Sequence, residues 1–193
     1  MIKALIFDFS GVISSEIYSL WTKEKKDQGI ESKSNFFTEM SDAADIAKIS
    51  TDEYAQKLAE KVGMASSDIW KDISSKIIIN YELLDLISKL KKRYKIGLLS
   101  NYNDVWLNDS ISKYKLEKYF DSQVISSTYK VAKPNKKIYE ISLDLLKIKP
   151  EEAIFFDDRQ VNVDGGNNVG IRSFLFTDVK KFIEDLRSCG VTI

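Results

Sequence analysis

The sequence predicts an α/β fold: a mostly parallel sheet with helices on both faces, interrupted after its first strand by a helical insert. Three observations predict it. From residue 80 onward, short apolar runs alternate with amphipathic stretches of helical length, and strands separated by helices make βαβ units and a parallel sheet. One further strand-like run, residues 2–9, stands far upstream of the others. Between them, over residues 14–79, apolar residues recur at helical spacing and no strand-like run occurs.

Each element has its own signal. Residues 2–9 are rich in aliphatic and aromatic side chains and stop at Ser10-Gly11, which reads as a buried strand entering a tight turn. Residues 14–79 read as three to five helices, with faces marked by Ile17, Leu20 and Trp21, by Tyr54, Leu58 and Val62, and by Ile69, Trp70 and Ile73. Ser50-Thr51 ahead of Asp52-Glu53 is a helix start with acids in the first turn, and Ser66-Ser67-Asp68 is another. Residues 83–90 form a helix whose basic tail, Lys91-Lys92-Arg93, suits the negative end of the helix dipole. A strand over 94–99 is broken by Ser100-Asn101. Helical segments follow at 105–111 and 114–120, then a short strand at 123–126. Lys133-Pro134 precedes a helix at 136–146, and a strand at 153–156 runs into Asp157-Asp158. A helix at 162–169 closes on Gly170, a strand follows at 171–176, and the last helix is at 179–188. The expected core is residues 1–13 and 80–193, and the expected helical cap is residues 14–79. An insert placed directly after the first strand lies over the C-terminal edge of the sheet, where open α/β sheets bind ligands.

Composition narrows the chemistry. The 193 residues include no His and a single Cys, and 29 Lys+Arg balance 29 Asp+Glu. Without imidazole there is no Ser-His-Asp or Cys-His machinery, so proton transfer falls to carboxylates, lysines, hydroxyls or water. Cys189 has no partner for an internal disulfide. Zero net charge argues against a dedicated nucleic-acid binder. The first apolar run meets Asp8 too early for a secretory h-region, and no stretch approaches the ~20 apolar residues of a membrane span. The expected location is cytoplasmic.

Four strand ends carry polar residues directly after apolar runs: Asp8 with Ser10, Ser100-Asn101, Lys133 in the loop after a third strand, and Asp157-Asp158. In a parallel sheet these ends converge on one edge. Taken singly, each has a plain structural reading as a turn residue, a helix cap or a solvated lysine. Taken together, they bring three carboxylates, an ammonium, a hydroxyl and an amide into one place. Clustered carboxylates repel one another, and a hard divalent cation such as Mg²⁺ resolves that conflict. Lys133, Ser100 and the amides after Asp8 can hold phosphate oxygens, and a spare carboxylate can attack phosphorus to form an aspartyl-phosphate.

This set resembles the haloacid dehalogenase-like (HAD) hydrolase superfamily. Asp8-Phe9-Ser10-Gly11-Val12 resembles its first motif, D-x-D-G-[TV]. Leu99-Ser100-Asn101 resembles the second, Lys133-Pro134 the third, and Ile154-Phe155-Phe156-Asp157-Asp158 the fourth. The segment Arg159 to Ile171 resembles the tail that follows the fourth motif. The S-N, K-P and F-F-D-D variants are similar to those of the small-helical-cap sugar-phosphate phosphatases and the phosphatase domain fused to some epoxide hydrolases. The resemblance implies a Rossmann-like three-layer core and a small all-helical cap. It implies Asp8 as nucleophile and Mg²⁺ ligand, the Ser10 backbone carbonyl and Asp158 as further ligands, and Asp157 as a ligand through water. It implies that Ser100 and Lys133 bind the transferring phosphoryl group, that Lys133 also neutralises Asp8, and that Asn101 positions phosphate or substrate.

Ser10 departs from that pattern. Family phosphatases usually carry a second Asp there, which protonates the leaving alcohol and then activates water, help worth about 10²–10⁴-fold. Three explanations stay open: another group acts, the leaving group needs little protonation, or the protein turns over slowly or only binds. The function expected is a Mg²⁺-dependent phosphatase of a small phosphate ester such as a sugar phosphate. The alternative is a non-catalytic or very slow phosphate-binding relative. A metal-independent 2-haloacid dehalogenase ranks below both, because Asp157-Asp158 would crowd Asp8 in a metal-free site. The expected partners are a small phosphorylated substrate and no nucleic acid or membrane, in a monomer or homodimer. Trp21, Phe36, Phe37, Met40 and Tyr54 are candidate pocket residues whose helical spacing favours core packing instead.

Overall fold

The computed structural model describes residues 1–30 and 35–192. Five parallel strands form one sheet: β1 (Ala4–Phe7), β2 (Lys95–Ser100), β3 (Ser122–Ile125), β4 (Ala153–Asp157) and β5 (Arg172–Leu175), in the order β3-β2-β1-β4-β5. The order reverses at β1, so the chain winds outward in both directions from the centre of the sheet. Phe7 pairs with Leu98 of β2 on one side and with Phe156 of β4 on the other.

Alternation of side chains across the strands makes two hydrophobic clusters. Leu5, Phe7, Leu98, Ile154 and Phe156 face one way, packing with α5 (Tyr81–Leu90), α6 (Asp104–Lys113) and α10 (Val179–Ser188). Ala4, Ile6, Leu99, Val124 and Phe155 face the other way and pack on α8 (Lys136–Leu146). Helix α9 (Gln160–Asn168) lies against β4, β5 and α8. The result is the three-layer α/β core expected from the sequence.

Most expected elements form within a residue or two of their expected bounds. Residues 114–120 do not: α6 runs to Lys113, Lys115 takes a left-handed backbone, and only a single 3₁₀ turn forms at Glu117–Tyr119. The apolar residues there, Leu116 and Phe120, are anchors of a connecting loop. Ser126 leaves the sheet to begin α7 (Ser126–Tyr129), a one-turn helix without the apolar periodicity that announces longer helices.

Between β1 and α5 the described residues form α1 (Ile17–Asp27), α2 (Phe36–Asp45), α3 (Thr51–Val62) and α4 (Ser66–Ser74), and no strand. The cap of α3 is as read: the Ser50 side chain accepts from the Glu53 N–H at 3.1 Å. The Trp21 indole and the buried Lys25 both reach Asp72, at 2.8 and 2.7 Å, tying α1 to α4. Trp21 and Phe37 are core residues, and Phe36 and Met40 pack at its margin. The connections into and out of this segment lie side by side, with Ser15 N–H donating to the Ile78 carbonyl and Asn80 N–H to the Ile13 carbonyl, both at 2.9 Å. The helices rest on α6, where Trp106 stacks on Trp70 with centroids 5.0 Å apart and packs against Tyr54 at the same distance. Asn103 caps α6 through Trp106 N–H and also pairs with Thr51. Among the described residues no helix is long and apolar enough to cross a membrane.

Candidate active site

The C-terminal ends of β1, β2 and β4 bring the predicted residues to one edge of the sheet. Asp8 follows β1, its N–H donating to the Phe156 carbonyl at 3.0 Å, so it stands beside Asp157 at the end of β4. Lys133 arrives from the loop after α7. Its side chain is wholly buried and its ammonium reaches Asp157 Oδ2 at 2.6 Å, the Leu99 carbonyl at 2.8 Å and Asp8 Oδ1 at 3.0 Å. Burial pulls this ammonium down, yet Asp8 and Asp157 together hold it above the usual lysine value.

The three carboxylates differ in their partners. Asp157 is saturated: besides Lys133, its Oδ1 accepts from Arg159 N–H and from the Asn162 amide, both at 2.9 Å. Asp8 Oδ1 accepts from Phe9 N–H at 2.7 Å and from Lys133, and Oδ2 has no hydrogen-bond donor among the described residues. Asp158 makes no ion pair or hydrogen bond with any described residue. Burial pushes Asp8 up to about 6, with Asp157 adding to the rise and Lys133 opposing it. Burial likewise pushes Asp158 up to about 7, reinforced by Asp8, Asp157 and Glu16.

One oxygen from each of Asp8, Asp157 and Asp158 lies within 4.8 Å of the others. Gly11 makes the approach of Asp158 possible: it takes φ +79°, and a Cβ there would meet Asp158 Oδ2 at 2.1 Å. A cation between Asp8 and Asp158 would relieve two carboxylates whose ionisation the site now disfavours, so the donor set fits a hard divalent ion.

The remaining predicted residues divide. Ser100 is wholly buried at the end of β2 and its hydroxyl has no protein partner. Two other buried hydroxyls share that condition among the described residues, Ser122 and Ser142, but only Ser100 directly precedes Asn101 at the end of β2. Asn101 uses its amide on the Lys133 backbone, donating to the carbonyl at 3.0 Å and accepting the N–H at 2.8 Å, which fixes the loop that carries Lys133. The Ser10 hydroxyl turns to the Ser15 carbonyl at 3.4 Å.

A cavity of about 440 Å³ opens above these residues, between the sheet edge and the helices α1–α4. Asp8, Ser10, Asn101 and Asp158 line its floor, and Tyr18, Asp45 and Tyr54 come from the helical segment. Of the aromatic candidates in the sequence, Tyr54 alone lines it. Asp45, Tyr102 and Asn162 were not singled out individually from the sequence. Asn162 lies in the tail after the fourth motif, whereas Asp45 looks like any acidic residue on a solvated helix. One signal marks it: an acid as the last residue of a helix opposes the helix dipole.

The sequence profile of the haloacid dehalogenase-like hydrolases matches residues 2–170. The chain is 25% identical to bifunctional epoxide hydrolase 2 of Sus scrofa across 96% of its own length. It is 32% identical to the glyceraldehyde 3-phosphate phosphatase of Pyrococcus furiosus across 47% of its own length. The chain spans 38% of the length of each of these curated relatives. Its fold is similar to that of the HAD family enzyme BT-2542 of Bacteroides thetaiotaomicron in a magnesium complex, with TM-score 0.79 and 26% identity over 96% of this chain and 98% of that one. Another structure of that enzyme holds magnesium and inorganic phosphate.

Proposed function

The chain belongs to the haloacid dehalogenase-like hydrolase family, and from that premise we propose that it is a Mg²⁺-dependent phosphatase of a small phosphate ester, such as a sugar phosphate. The observation that carries this reading is Asp158, a carboxylate without a partner among the described residues, which the absence of a Cβ at Gly11 lets approach Asp8. A metal-free dehalogenase has no use for that charge, while a cation-dependent phosphoryl transfer needs it. The magnesium found in the BT-2542 relative supports the same assignment.

In this reading residues 14–79 act as a cap over a core of residues 1–13 and 80–193. Asp8, the Ser10 backbone carbonyl and Asp158 would hold Mg²⁺, and Asp157 would contribute through water while its side chain fixes Lys133. When bound, the ion offsets the charge of the phosphoryl oxygens and of the carboxylates around them. Lys133 and the Ser100 hydroxyl bind those oxygens, and the unpartnered state of Ser100 supports its role. Asn101 acts on substrate from the cavity floor and through the Lys133 loop that it clamps. Asp8 Oδ2 attacks phosphorus and becomes an aspartyl-phosphate, which water then opens.

Asp8→Asn is expected to abolish Mg²⁺-dependent phosphate release from p-nitrophenyl phosphate with the fold intact by circular dichroism. Unchanged release by that variant would sink the reading, and so would halide release from 2-chloropropionate without added metal. Ser10 favours one second reading, a slow or binding-only relative, since its hydroxyl is no acid and is turned into its own loop. Tight binding of a phosphorylated ligand with no turnover across a broad panel of esters would select that reading.

A further inference from the structure

We propose that Asp45 is the general acid and base of this site, supplying from the helical segment the proton transfer that Ser10 cannot. This rests on the phosphoryl-transfer reading above. Asp45 lines the cavity that Asp8, Ser10 and Asp158 line from the sheet edge. It is half-buried, and no described residue gives it a hydrogen bond or an ion pair. It is also the last residue of α2, where the negative end of the helix dipole disfavours a carboxylate, and no basic residue sits in that turn to offset it. Neither capping nor packing accounts for an acid at this position.

The charges around it set its protonation. Burial, then the negative charges of Asp42 and Asp8, push its carboxyl up to about 7, against the pull of Lys133 and Arg159. Glu16, Tyr18 and Asp158 are further titratable groups of the cavity lining, and the Tyr54 and Tyr102 phenols interact with Asp45. Burial first, and Asp45 among the neighbouring groups, keep both above the usual tyrosine value, so they stay neutral. A group divided between acid and base near neutral pH suits a residue that must act as each in turn.

The two steps balance. Asp8 Oδ2 forms a bond to phosphorus as the bond from phosphorus to the ester oxygen breaks. That electron pair goes to the ester oxygen, which takes the proton of the Asp45 carboxyl and leaves as an alcohol. Water then attacks phosphorus and gives its proton to the Asp45 carboxylate. The bond from Asp8 to phosphorus breaks, its pair returns to Asp8, and inorganic phosphate leaves with both carboxyls restored. Glu16 also lines the cavity but is exposed at its rim.

The test is a series of phosphate monoesters, from p-nitrophenyl to simple alkyl, turned over with Mg²⁺ by wild type, Asp45→Asn, Asp45→Ser and Glu16→Gln. For both Asp45 variants, kcat/KM should fall about 100-fold or more on alkyl esters and under about 10-fold on p-nitrophenyl phosphate, whose leaving group needs little proton help. Pre-steady-state mixing of Asp45→Asn with p-nitrophenyl phosphate should give a burst of one p-nitrophenol per enzyme, because the water step has lost its base. Ser10→Asp added to Asp45→Asn should restore alkyl turnover, which repair of a merely structural defect would not do. An equal loss across the series, no loss at all, or the leaving-group signature in Glu16→Gln instead would overturn the role of Asp45 while leaving the phosphatase reading intact. Wild type inactive on every ester would overturn both.

Discussion

Lys133→Met removes the ammonium that Asp8 and Asp157 share. The lysine is wholly buried and its three contacts, to Asp157, the Leu99 carbonyl and Asp8, span 2.6–3.0 Å. Removing one partner of a buried ion pair costs about 3–5 kcal/mol, because the charge left behind is neither hydrated nor matched. Asp157 keeps two donors after the change, Arg159 N–H and the Asn162 amide, so the burden falls chiefly on Asp8. Methionine fills nearly the same volume, which keeps a cavity from adding to the loss. At about 2–4 °C per kcal/mol for a chain of this size, the melting temperature should fall by about 6–20 °C. The assay is urea unfolding of metal-free protein at pH 5 and pH 8. Without the ammonium, Asp8 titrates still higher in the folded state. Its penalty therefore grows as pH rises, and the deficit should be larger at pH 8. A deficit below about 1 kcal/mol, or one equal at both pH values, refutes the claim that this lysine neutralises a buried acidic pair.

Two further outcomes follow from the same geometry. Gly11→Ala places a Cβ 2.1 Å from Asp158 Oδ2 at φ +79°, so Asp158 must move, and calorimetry should show Mg²⁺ affinity reduced at least about tenfold. In metal-free wild type, Asp8 and Asp158 sit at about 6 and 7 in the folded state, above the ordinary value near 4 of an unfolded Asp. Such raised groups favour the fold while protonated and disfavour it once ionised, so their contribution falls as pH rises from about 4 through about 7. Thermal unfolding should then show Mg²⁺ raising the melting temperature more at pH 8 than at pH 5, and an equal gain at both would count against a cation bound by these carboxylates.

Much of this was legible in the sequence because the signals were local. Apolar runs that stop abruptly at polar residues mark strand ends, and the parallel sheet then carries Asp8, Ser100 and Asp157-Asp158 to one edge. The caps at Ser50 and Asn80 and the basic tail after α5 are likewise written in a few neighbouring residues. What stayed hidden depends on contacts between distant parts of the chain. The division of labour among the carboxylates is one case, since nothing local says that Asp157 is saturated by Lys133, Arg159 and Asn162 while Asp158 is bare. The amide of Asn101 spent on the Lys133 backbone is another. Asp45 is the plainest, because a carboxylate on a helix becomes informative only when the cavity it borders is known. Residues 114–120 misled for the opposite reason: Leu116 and Phe120 pack from a loop, and apolar spacing alone cannot tell that from a helix.

The paired connection at Ser15–Ile78 and Ile13–Asn80 bears on how freely this architecture can change. Bringing β1 and α5 together requires closing a loop that contains the described helices α1–α4. The entropic cost of such closure grows only logarithmically, by about 0.6 kcal/mol for each doubling of length. Here the two ends of that loop are already tied by backbone hydrogen bonds just beyond the strand. The sheet therefore registers only that the excursion returns to its starting point, and neither its length nor its contents. Residues that line the cavity from that segment can be exchanged, added or deleted beyond this tie at little expense to the strands that hold Asp8.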